Sequence, residues 1–406
     1  MLYIASSRRK TMNTTPSSER IHIGFFGMRN AGKSSLVNAV TGQNLALVSD
    51  IKGTTTDPVR KAMELLPLGP VVIIDTPGLD DEGVLGEMRV KRAKDMLSSV
   101  HIAVLVVDAS KGLSQEDKSL AAEIENRKLP LVIAMNKTDL LGSVPENEEN
   151  TVYVSAEKNE GINELKEKIA SLSASAKTEK KILADLVSKG DIVMLVTPID
   201  ESAPKGRLIL PQQQTIRELL EIGCVTLVVQ VDEIETALAN LKTAPKLVIT
   251  DSQAFGEVVK ILSEDIKLTS FSILFARYKG DLDIVVQGAD KLSKLSDGDR
   301  ILISEGCTHH RQCKDIGTVK LPNWIKAFSG KELDFTFTSG GEFPDDLSDF
   351  ALVVHCGGCT LNEKEMKSRL DRCTSQGVPV TNYGTAIAEM KGILRRSLEI
   401  FGDSEL

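Results

Sequence analysis

The chain has 406 residues, of which 41% are hydrophobic and 26% charged, and its formal net charge is −8. This length favours two or three folded globular domains, and the acidic balance gives no general attraction to nucleic acid. Six cysteines are too few for a disulfide scaffold, and no apolar run is long enough to span a membrane, so we expect a cytoplasmic protein with reduced thiols and neither a membrane nor a nucleic acid as partner.

Three blocks of alternating strand-like and helix-like segments follow a polar start. Residues 1–20 lack the apolar centre of a signal peptide and are predicted to form a flexible tail. Residues 21–172 alternate short apolar runs with helical patterns, which predicts a parallel sheet covered by helices on both faces. Residues 180–266 and 267–406 repeat this alternation on a smaller scale. The predicted fold is α/β: an N-terminal domain with a parallel sheet, followed by two smaller α/β domains.

The two later blocks differ in their content. Residues 180–266 contain no cluster of reactive side chains, and a sheet this small has a limited core, so we interpret the block as a domain with a role in association. In residues 267–406, the runs FSILFARY, DRILISEG and FALVVHCG are interpreted as strands of another doubly wound sheet. Cysteine and histidine residues concentrate in this last block.

A phosphate-binding loop occupies residues 27–34, where GMRNAGKS matches G-x-x-x-x-G-K-[ST] between a strand and a helix. Backbone amides of such a loop surround the phosphates, and the helix N-terminus favours anions. Lys33 is expected to bridge the β- and γ-phosphates, and the Ser34 hydroxyl to ligate Mg²⁺. The predicted nucleotide-binding residues of this loop are Asn30, Ala31, Gly32, Lys33, Ser34 and Ser35. The first domain is therefore predicted to be a P-loop domain.

Two further motifs complete the expected phosphate and Mg²⁺ site. Asp75-Thr76-Pro77-Gly78 ends a buried strand, which predicts Asp75 near the metal and the Gly78 amide near the γ-phosphate. The segment GTTTD, residues 53–57, resembles a switch I loop. Its resemblance to GTPases that carry G-T-T-x-D implies that Thr55 completes the Mg²⁺ shell. Lys33, Thr55 and Gly78 are the predicted catalytic residues.

Base selectivity is predicted from the motif Asn136-Lys137-Thr138-Asp139, which ends another strand. A carboxylate at Asp139 can accept hydrogen bonds from both N1–H and the 2-amino group of guanine, a donor pattern that adenine lacks. Ser155-Ala156, after the next strand, fits the loop that packs against the base. The sequence therefore predicts a GTPase that binds GTP rather than ATP.

The hydrolytic step is predicted to be slow without an activator, because Leu79 stands where Ras-like proteins carry a water-orienting glutamine. Asn30 and the G-T-T-x-D segment resemble the tRNA-modification GTPase TrmE. That resemblance implies that a K⁺ ion, held partly by Asn30, stabilises charge that develops between the phosphates. The alternative is that Asn30 only supports the conformation of the loop.

Two Cys/His groups, Cys307-Thr308-His309-His310 and His355-Cys356-Gly357-Gly358-Cys359, each follow a strand-like run. They are expected to converge at the carboxyl ends of the strands, with Cys356 and Cys359 at the start of a helix that favours thiolates. A redox C-x-x-C would use only Cys356 and Cys359. A structural zinc would use Cys307, His309, Cys356 and Cys359. An iron–sulfur cluster would use the thiolates of Cys307, Cys356 and Cys359 plus His309, His310, His355 or an exchangeable ligand. The spacing does not separate zinc from a cluster.

The combination of a P-loop GTPase, a small middle domain, C-x-H and a later H-C-x-x-C resembles the HydF family of FeFe-hydrogenase maturation GTPases. The resemblance covers the chain beyond the N-terminal tail. It implies a 4Fe-4S cluster on Cys307, Cys356 and Cys359, and a homodimer formed through the middle domain. It also implies a scaffold that receives a diiron precursor with the help of radical-SAM maturases and delivers it to apo-hydrogenase. The alternatives are a TrmE-like RNA-modification GTPase with structural zinc, or a GTP-controlled binding switch.

Overall fold

A computed structural model of the chain describes residues 15–43, 59–76, 93–176, 180–199, 208–306 and 316–402. The chain divides into two compact units, residues 1–178 and 179–406. Each unit combines helices with predominantly parallel sheets, which confirms the predicted α/β class. Within the described ranges, no helix combines the length and apolarity needed to cross a bilayer.

The first unit is built on one six-stranded sheet. Its strands are β1 (Ile21–Gly27), β2 (Val59–Leu65), β3 (Gly69–Asp75), β4 (Ile102–Asp108), β5 (Leu131–Asn136) and β6 (Thr151–Tyr153). The spatial order is β2-β3-β1-β4-β5-β6, and all neighbours are parallel except β2 and β3. Its described helices include α1 (Lys33–Thr41), α2 (Gln115–Asn126) and α3 (Ile162–Ala176). Every residue of β4 is buried, as expected for a strand covered on both faces.

Two ends of this unit differ from the predicted limits. Residues 15–20 fall within the predicted tail, yet Arg20 is buried, and its guanidinium donates hydrogen bonds to the carbonyls of Thr15 and Met63 at 2.9 Å each. Helix α3 extends four residues beyond the predicted limit at residue 172. The serines and alanines after residue 172 predict a linker, but the structure continues the helix to Ala176, because small residues are also compatible with a helix.

The second unit contains two four-stranded parallel sheets. Its strands are β7 (Ile192–Val196), β8 (Val225–Val229), β9 (Leu247–Thr250), β10 (Lys267–Ser270), β11 (Arg300–Glu305), β12 (Asp334–Ser339), β13 (Leu352–His355) and β14 (Val380–Asn382). The middle sheet has the order β10-β9-β7-β8, and the third sheet has the order β12-β11-β13-β14. Strand β10, which the sequence analysis assigned to the third block, thus belongs to the middle sheet.

Helices connect the strands of the second unit. They are α4 (Leu210–Ile222), α5 (Ile234–Ala239), α6 (Phe255–Ile261), α7 (Phe271–Lys279), α8 (Leu282–Ala289), α9 (Leu321–Ser329), α10 (Glu363–Ser375), α11 (Tyr383–Met390) and α12 (Leu394–Leu398). The interpretation of FSILFARY as a strand is wrong, because these residues form α7. The Ser270 side chain caps this helix by accepting a hydrogen bond from the Ile273 amide. A short apolar run buried on several sides has no periodicity that separates a strand from a helix.

The middle and third sheets share one hydrophobic core. A continuous cluster of buried residues includes Val196 and Val248 from the middle sheet and Leu302 and Val353 from the third. Helix α7 contributes Ile273 to this cluster, while its Phe271 and Phe275 pack in a smaller cluster under the middle sheet. These two sheets are therefore joined by packing and not only by the chain that connects them.

Candidate functional site

The phosphate-binding loop connects β1 to α1. Asn30 has φ 62° and Gly32 has φ 84°, so both lie in the left-handed region. A Cβ atom on Gly32 would stand 2.3 Å from Nδ2 of Asn136, so glycine is required here both by conformation and by space. Lys33 is buried at the start of α1, where the sequence analysis placed the phosphate-binding lysine.

The predicted Mg²⁺ ligands Ser34 and Asp75 are in direct contact. The Ser34 hydroxyl donates a hydrogen bond of 2.9 Å to Oδ2 of Asp75. Burial raises the pKa of Asp75, while the Lys33 charge and the Ser34 hydrogen bond oppose this shift. The second carboxylate oxygen, Oδ1, is buried without a hydrogen-bond partner in the described structure. A buried carboxylate oxygen beside a hydroxyl is a donor set that suits Mg²⁺.

Asn136 joins the phosphate loop to the loop that follows β6. Its Nδ2 donates to the carbonyl of Ala31 at 3.0 Å, and its Oδ1 accepts from the Ala156 amide at 3.1 Å. Asn136 is only 2% exposed, so its side-chain amide links the two loops by hydrogen bonds inside the protein. These contacts with the protein backbone explain why the motif has asparagine at position 136, without any contact with a nucleotide.

The side chains expected around the base form a second set of contacts. The Ser155 hydroxyl donates a 2.6 Å hydrogen bond to Oδ1 of Asp139, which fixes the orientation of that carboxylate. Lys137 has φ 67°, and its ammonium lies 2.7 Å from Oδ2 of Asp108. Burial favours a higher pKa for Asp108, but the hydrogen bonds from Lys137 and Ser110 outweigh it and lower the pKa.

Two side chains in this region were not singled out from the sequence. Asp108 ends β4 and holds Lys137, and its position at the carboxyl end of a buried strand was the available signal. Thr76 is buried and donates a 2.7 Å hydrogen bond to the carbonyl of Phe25, which ties the Asp75 strand end to β1. A role of that kind depends on a partner 51 residues away and leaves no local pattern.

An open cleft of about 400 Å³ lies beside these loops, between α1 and the segment after β6. Its lining includes Ser35, Asn38, Ala156 and Asn159. Ser35 and Ala156 therefore line the same cleft. Thr55, Gly78 and Leu79 lie outside the described residues.

The Cys-x-x-Cys segment lies at the carboxyl edge of the third sheet. Strand β11 pairs with β12 on one side and β13 on the other, so the chain reverses its direction of winding between β11 and β13. Doubly wound sheets bind ligands at such a point. Cys356 directly follows β13, and Cys307 lies two residues after β11. Cys307, His309 and His310 lie outside the described residues.

The environment of Cys356 and Cys359 differs from the one predicted. Helix α10 begins at Glu363 with Asn362 as its cap, so neither cysteine lies at its start as the sequence analysis expected. Burial raises the pKa of the Cys356 thiol to about 11 and also raises that of Cys359. Two amides oppose this at Cys356: Gly306 N lies 3.0 Å and Gly358 N 3.4 Å from its sulfur. Amides directed at sulfur stabilise the thiolate form, which is the form that binds metal.

His355 is held by the protein on both sides of its ring. Nδ1 lies 2.7 Å from the carbonyl of Cys356, and Nε2 lies 3.0 Å from the guanidinium of Arg369. Because Arg369 can only donate, Nδ1 must carry the proton and Nε2 must accept. Burial, followed by the Arg369 charge, lowers the pKa of His355 to about 3. To ligate a metal, His355 would have to give up one of these contacts.

Arg369 anchors this network within the third sheet. It is 5% exposed, donates to the carbonyl of Gly340 at 2.6 Å, and pairs with Glu365 at 3.1 Å. Its guanidinium also lies over the Phe343 ring, 5.2 Å from the centroid. Among the described residues, no group of three or more Cys, His, Asp or Glu side chains is arranged to hold a metal ion. Of the three predicted ligand cysteines, the structure describes Cys356 and Cys359.

Comparisons with protein families match three consecutive segments of the chain. Residues 22–137 match the family described as "50S ribosome-binding GTPase". Residues 182–280 match "Hydrogen maturase F dimerization domain", and residues 283–400 match "Hydrogen maturase F tetramerization domain".

Curated relatives are similar to the first unit. The tRNA modification GTPase MnmE of Clostridioides difficile is 32% identical over 176 residues, which cover 40% of this chain and 38% of the relative. The enzyme of the same name from Nitrosomonas europaea is 37% identical over 153 residues, covering 36% of this chain and 34% of the relative. The chain thus spans little more than a third of these relatives. Among solved structures, the G domain of the T. maritima FeoB iron transporter shows 25% identity and a TM-score of 0.29, and the match covers 38% of this chain and 99% of that one.

Proposed function

Because the chain belongs to the hydrogen maturase F family and carries a P-loop GTPase domain, we propose that it is a GTP-hydrolysing iron–sulfur scaffold for FeFe-hydrogenase assembly. In this role it completes a diiron precursor and delivers it to the apo-hydrogenase, with radical-SAM maturases as upstream partners. The observation that carries the proposal is the half-buried Cys356–Cys359 turn, with two amides directed at the Cys356 sulfur, at the reversal point of the third sheet.

The GTPase part of the proposal rests on residues of the first unit. The loop of residues 27–32 and the Lys33 ammonium would bind the phosphates of GTP. Ser34 and Asp75, which are hydrogen-bonded to each other, would hold Mg²⁺, and the ion would supply neutralisation of phosphate charge. Asp139, oriented by Ser155, accepts the two guanine donors. Thr55 and the Gly78 amide are proposed to contact the γ-phosphate side, so that the loops carrying them respond to hydrolysis.

The cluster part of the proposal rests on residues of the second unit. Cys356, Cys359 and Cys307 would hold a 4Fe-4S cluster, which supplies one iron corner that lacks a cysteine ligand. Because His355 already bonds through both ring nitrogens, we propose His309, His310 or an exchangeable ligand for that corner. Such a corner suits a carrier that must both accept and release its cargo.

This scaffold proposal is tested by analysing anaerobically purified protein for iron, sulfide and zinc. We expect near-stoichiometric iron and sulfide, and an electron paramagnetic resonance signal from the cluster after reduction. Bound zinc, with no cluster after anaerobic reconstitution with iron and sulfide, would contradict the scaffold. That outcome would favour a GTPase with a structural zinc, as in the RNA-modification alternative.

Potassium is expected to accelerate GTP hydrolysis. Asn30 is exposed on the rim of the phosphate loop, where its side-chain oxygen could help to hold a K⁺ ion near the phosphates. We expect turnover to be at least about tenfold faster in K⁺ than in Na⁺, because a cation held beside developing charge lowers the barrier and about 1.36 kcal/mol is tenfold in rate. Steady-state phosphate release in matched chloride buffers measures this ratio.

The matched variant for this prediction is Asn30→Gly, because glycine adopts the left-handed φ of 62° without steric strain, while the substitution removes the side chain that carries the proposed K⁺ ligand. Its turnover is expected to be equally slow in both salts. If wild-type turnover does not differ between K⁺ and Na⁺, the potassium proposal is wrong and Asn30 only supports the loop.

We propose that the homodimer forms through the exposed edge of the middle sheet. Strand β8 is at the end of that sheet, and its Val225 and Val228 are 51% and 46% exposed. An apolar edge strand offers unpaired backbone groups and apolar area to a second copy. Val228→Asp is therefore expected to lower the molar mass in solution, measured by size-exclusion chromatography with light scattering. Val144→Asp, which changes a 55% exposed valine of the first unit, is the control and should leave the mass unchanged. An unchanged mass for Val228→Asp would exclude this edge.

A further inference from the structure

Lys279 is a buried lysine whose ammonium is hydrogen-bonded to the backbone of the cysteine turn. It is the last residue of α7, and the residue is only 2% exposed. Its Nζ donates hydrogen bonds to the carbonyls of Cys359 at 3.1 Å and Leu361 at 3.0 Å. Lysine is rarely buried to this extent without a specific set of partners.

The position of this ammonium is fixed by the helix that carries it. Phe271 and Phe275 of α7 are buried in the core, and Nζ lies 5.8 Å from the centroid of the Phe275 ring. The two acceptor carbonyls belong to the segment between the second cysteine and Asn362, the residue that caps α10. Lys279 therefore ties the cysteine turn to a helix more than 80 residues earlier in the chain.

We propose that Lys279 is a positioning residue for the metal site, which holds the Cys359–Leu361 backbone in place and keeps a fixed positive charge beside the cysteine ligands. This inference rests on the proposed function, because it assigns the lysine to the cluster described there. The two effects of Lys279 can be measured separately. The hydrogen bonds affect the geometry of the turn, and the positive charge affects the reduction potential of the cluster.

The expected consequences follow from elementary electrostatics. A buried positive charge favours the more negative, reduced state of a neighbouring cluster, and net charge is one of the factors that set cluster potentials. Loss of this charge should therefore shift the reduction potential to a more negative value. Loss of a residue that orients metal ligands typically weakens metal retention by about 10- to 100-fold.

The test compares three substitutions in the full-length, cluster-loaded protein. Lys279→Met removes the hydrogen bonds and the charge, Lys279→Gln keeps a donor but removes the charge, and Lys279→Arg keeps both. Reduction potentials are measured by redox titration monitored by electron paramagnetic resonance, and iron retention by the rate of loss to a chelator. We expect Met and Gln to shift the potential to a more negative value, Met to lose iron about tenfold or more faster, and Arg to remain close to wild type.

The exposed Lys260 on α6 supplies the control, and Lys260→Met should change neither reading. GTP turnover and the melting temperature show whether each variant is folded; if Lys279→Met does not fold, Lys279→Gln alone tests the charge. Potentials and iron loss equal to wild type in Lys279→Gln and Lys279→Met would overturn the inference while leaving the scaffold proposal intact. A wild-type protein that binds no cluster would instead contradict the scaffold proposal itself.

Discussion

Replacing Asp139 by asparagine is expected to weaken GTP binding by about 10²- to 10⁴-fold. The carboxylate is proposed to accept two hydrogen bonds from guanine, and hydrogen bonds to a charged group contribute about 1.5–3 kcal/mol each, where 1.4 kcal/mol is tenfold in affinity. Ser155 holds Oδ1 of Asp139 at 2.6 Å, so the acceptor is oriented before the base arrives. The affinities for GTP and for xanthosine triphosphate, measured by calorimetry, check this expectation.

The same substitution should improve binding of xanthosine triphosphate, because the new amide can donate to the oxygen that xanthine carries in place of the 2-amino group. The control is Glu125→Gln, which removes the same negative charge from an exposed residue of α2. It should leave both affinities unchanged. Equal GTP affinity in Asp139→Asn and wild type would remove Asp139 from the base site.

Replacing Cys356 by serine is expected to reduce bound iron and sulfide to background and to abolish the reduced-cluster signal. The thiolate is a far better iron ligand than a hydroxyl, and the amides of Gly306 and Gly358 already point at this sulfur. GTP hydrolysis should continue, because the residues proposed for it belong to the other unit. Iron and sulfide analysis, with electron paramagnetic resonance after reduction, gives the result.

The matched control is Cys224→Ser. The Cys224 thiol lies 3.3 Å from the carbonyl of Ser188, so a hydroxyl can take over its hydrogen bond. This variant should load iron as the wild type does. Full iron loading of Cys356→Ser with an unchanged signal would exclude Cys356 as a ligand.

Local chemistry made the nucleotide loop and the α/β class predictable. The phosphate loop follows a buried strand, opens a helix and needs glycine at φ 84°. All of these requirements are met by the eight residues 27–34, so the loop can be recognised from a short segment of sequence. The alternation of apolar runs with helical patterns indicated parallel sheets because both faces of such strands are buried. The family profiles and the structure confirm the predicted P-loop domain and the α/β class.

The contacts that shape the cysteine turn could not be predicted in the same way. Lys279 reaches carbonyls 80 and 82 residues away, and Arg369 reaches Ser304 across 65 residues. Buried cations of this kind are stabilised by partners far away in the sequence, so no periodic pattern in the sequence indicates them. The strand predicted at FSILFARY failed for a related reason, since apolar residues buried on all sides suit a helix or a strand equally well.

The shared core of the middle and third sheets bears on how this half of the chain can be inherited. The border between the two hydrogen maturase F domains falls between residues 280 and 283, just after α7. A recombination event at that border would separate Lys279 from the turn whose carbonyls it binds, and would leave apolar surface of both sheets facing water. The two named domains therefore depend on each other for their packing, and a fusion or gene split at this border would expose the core that they share.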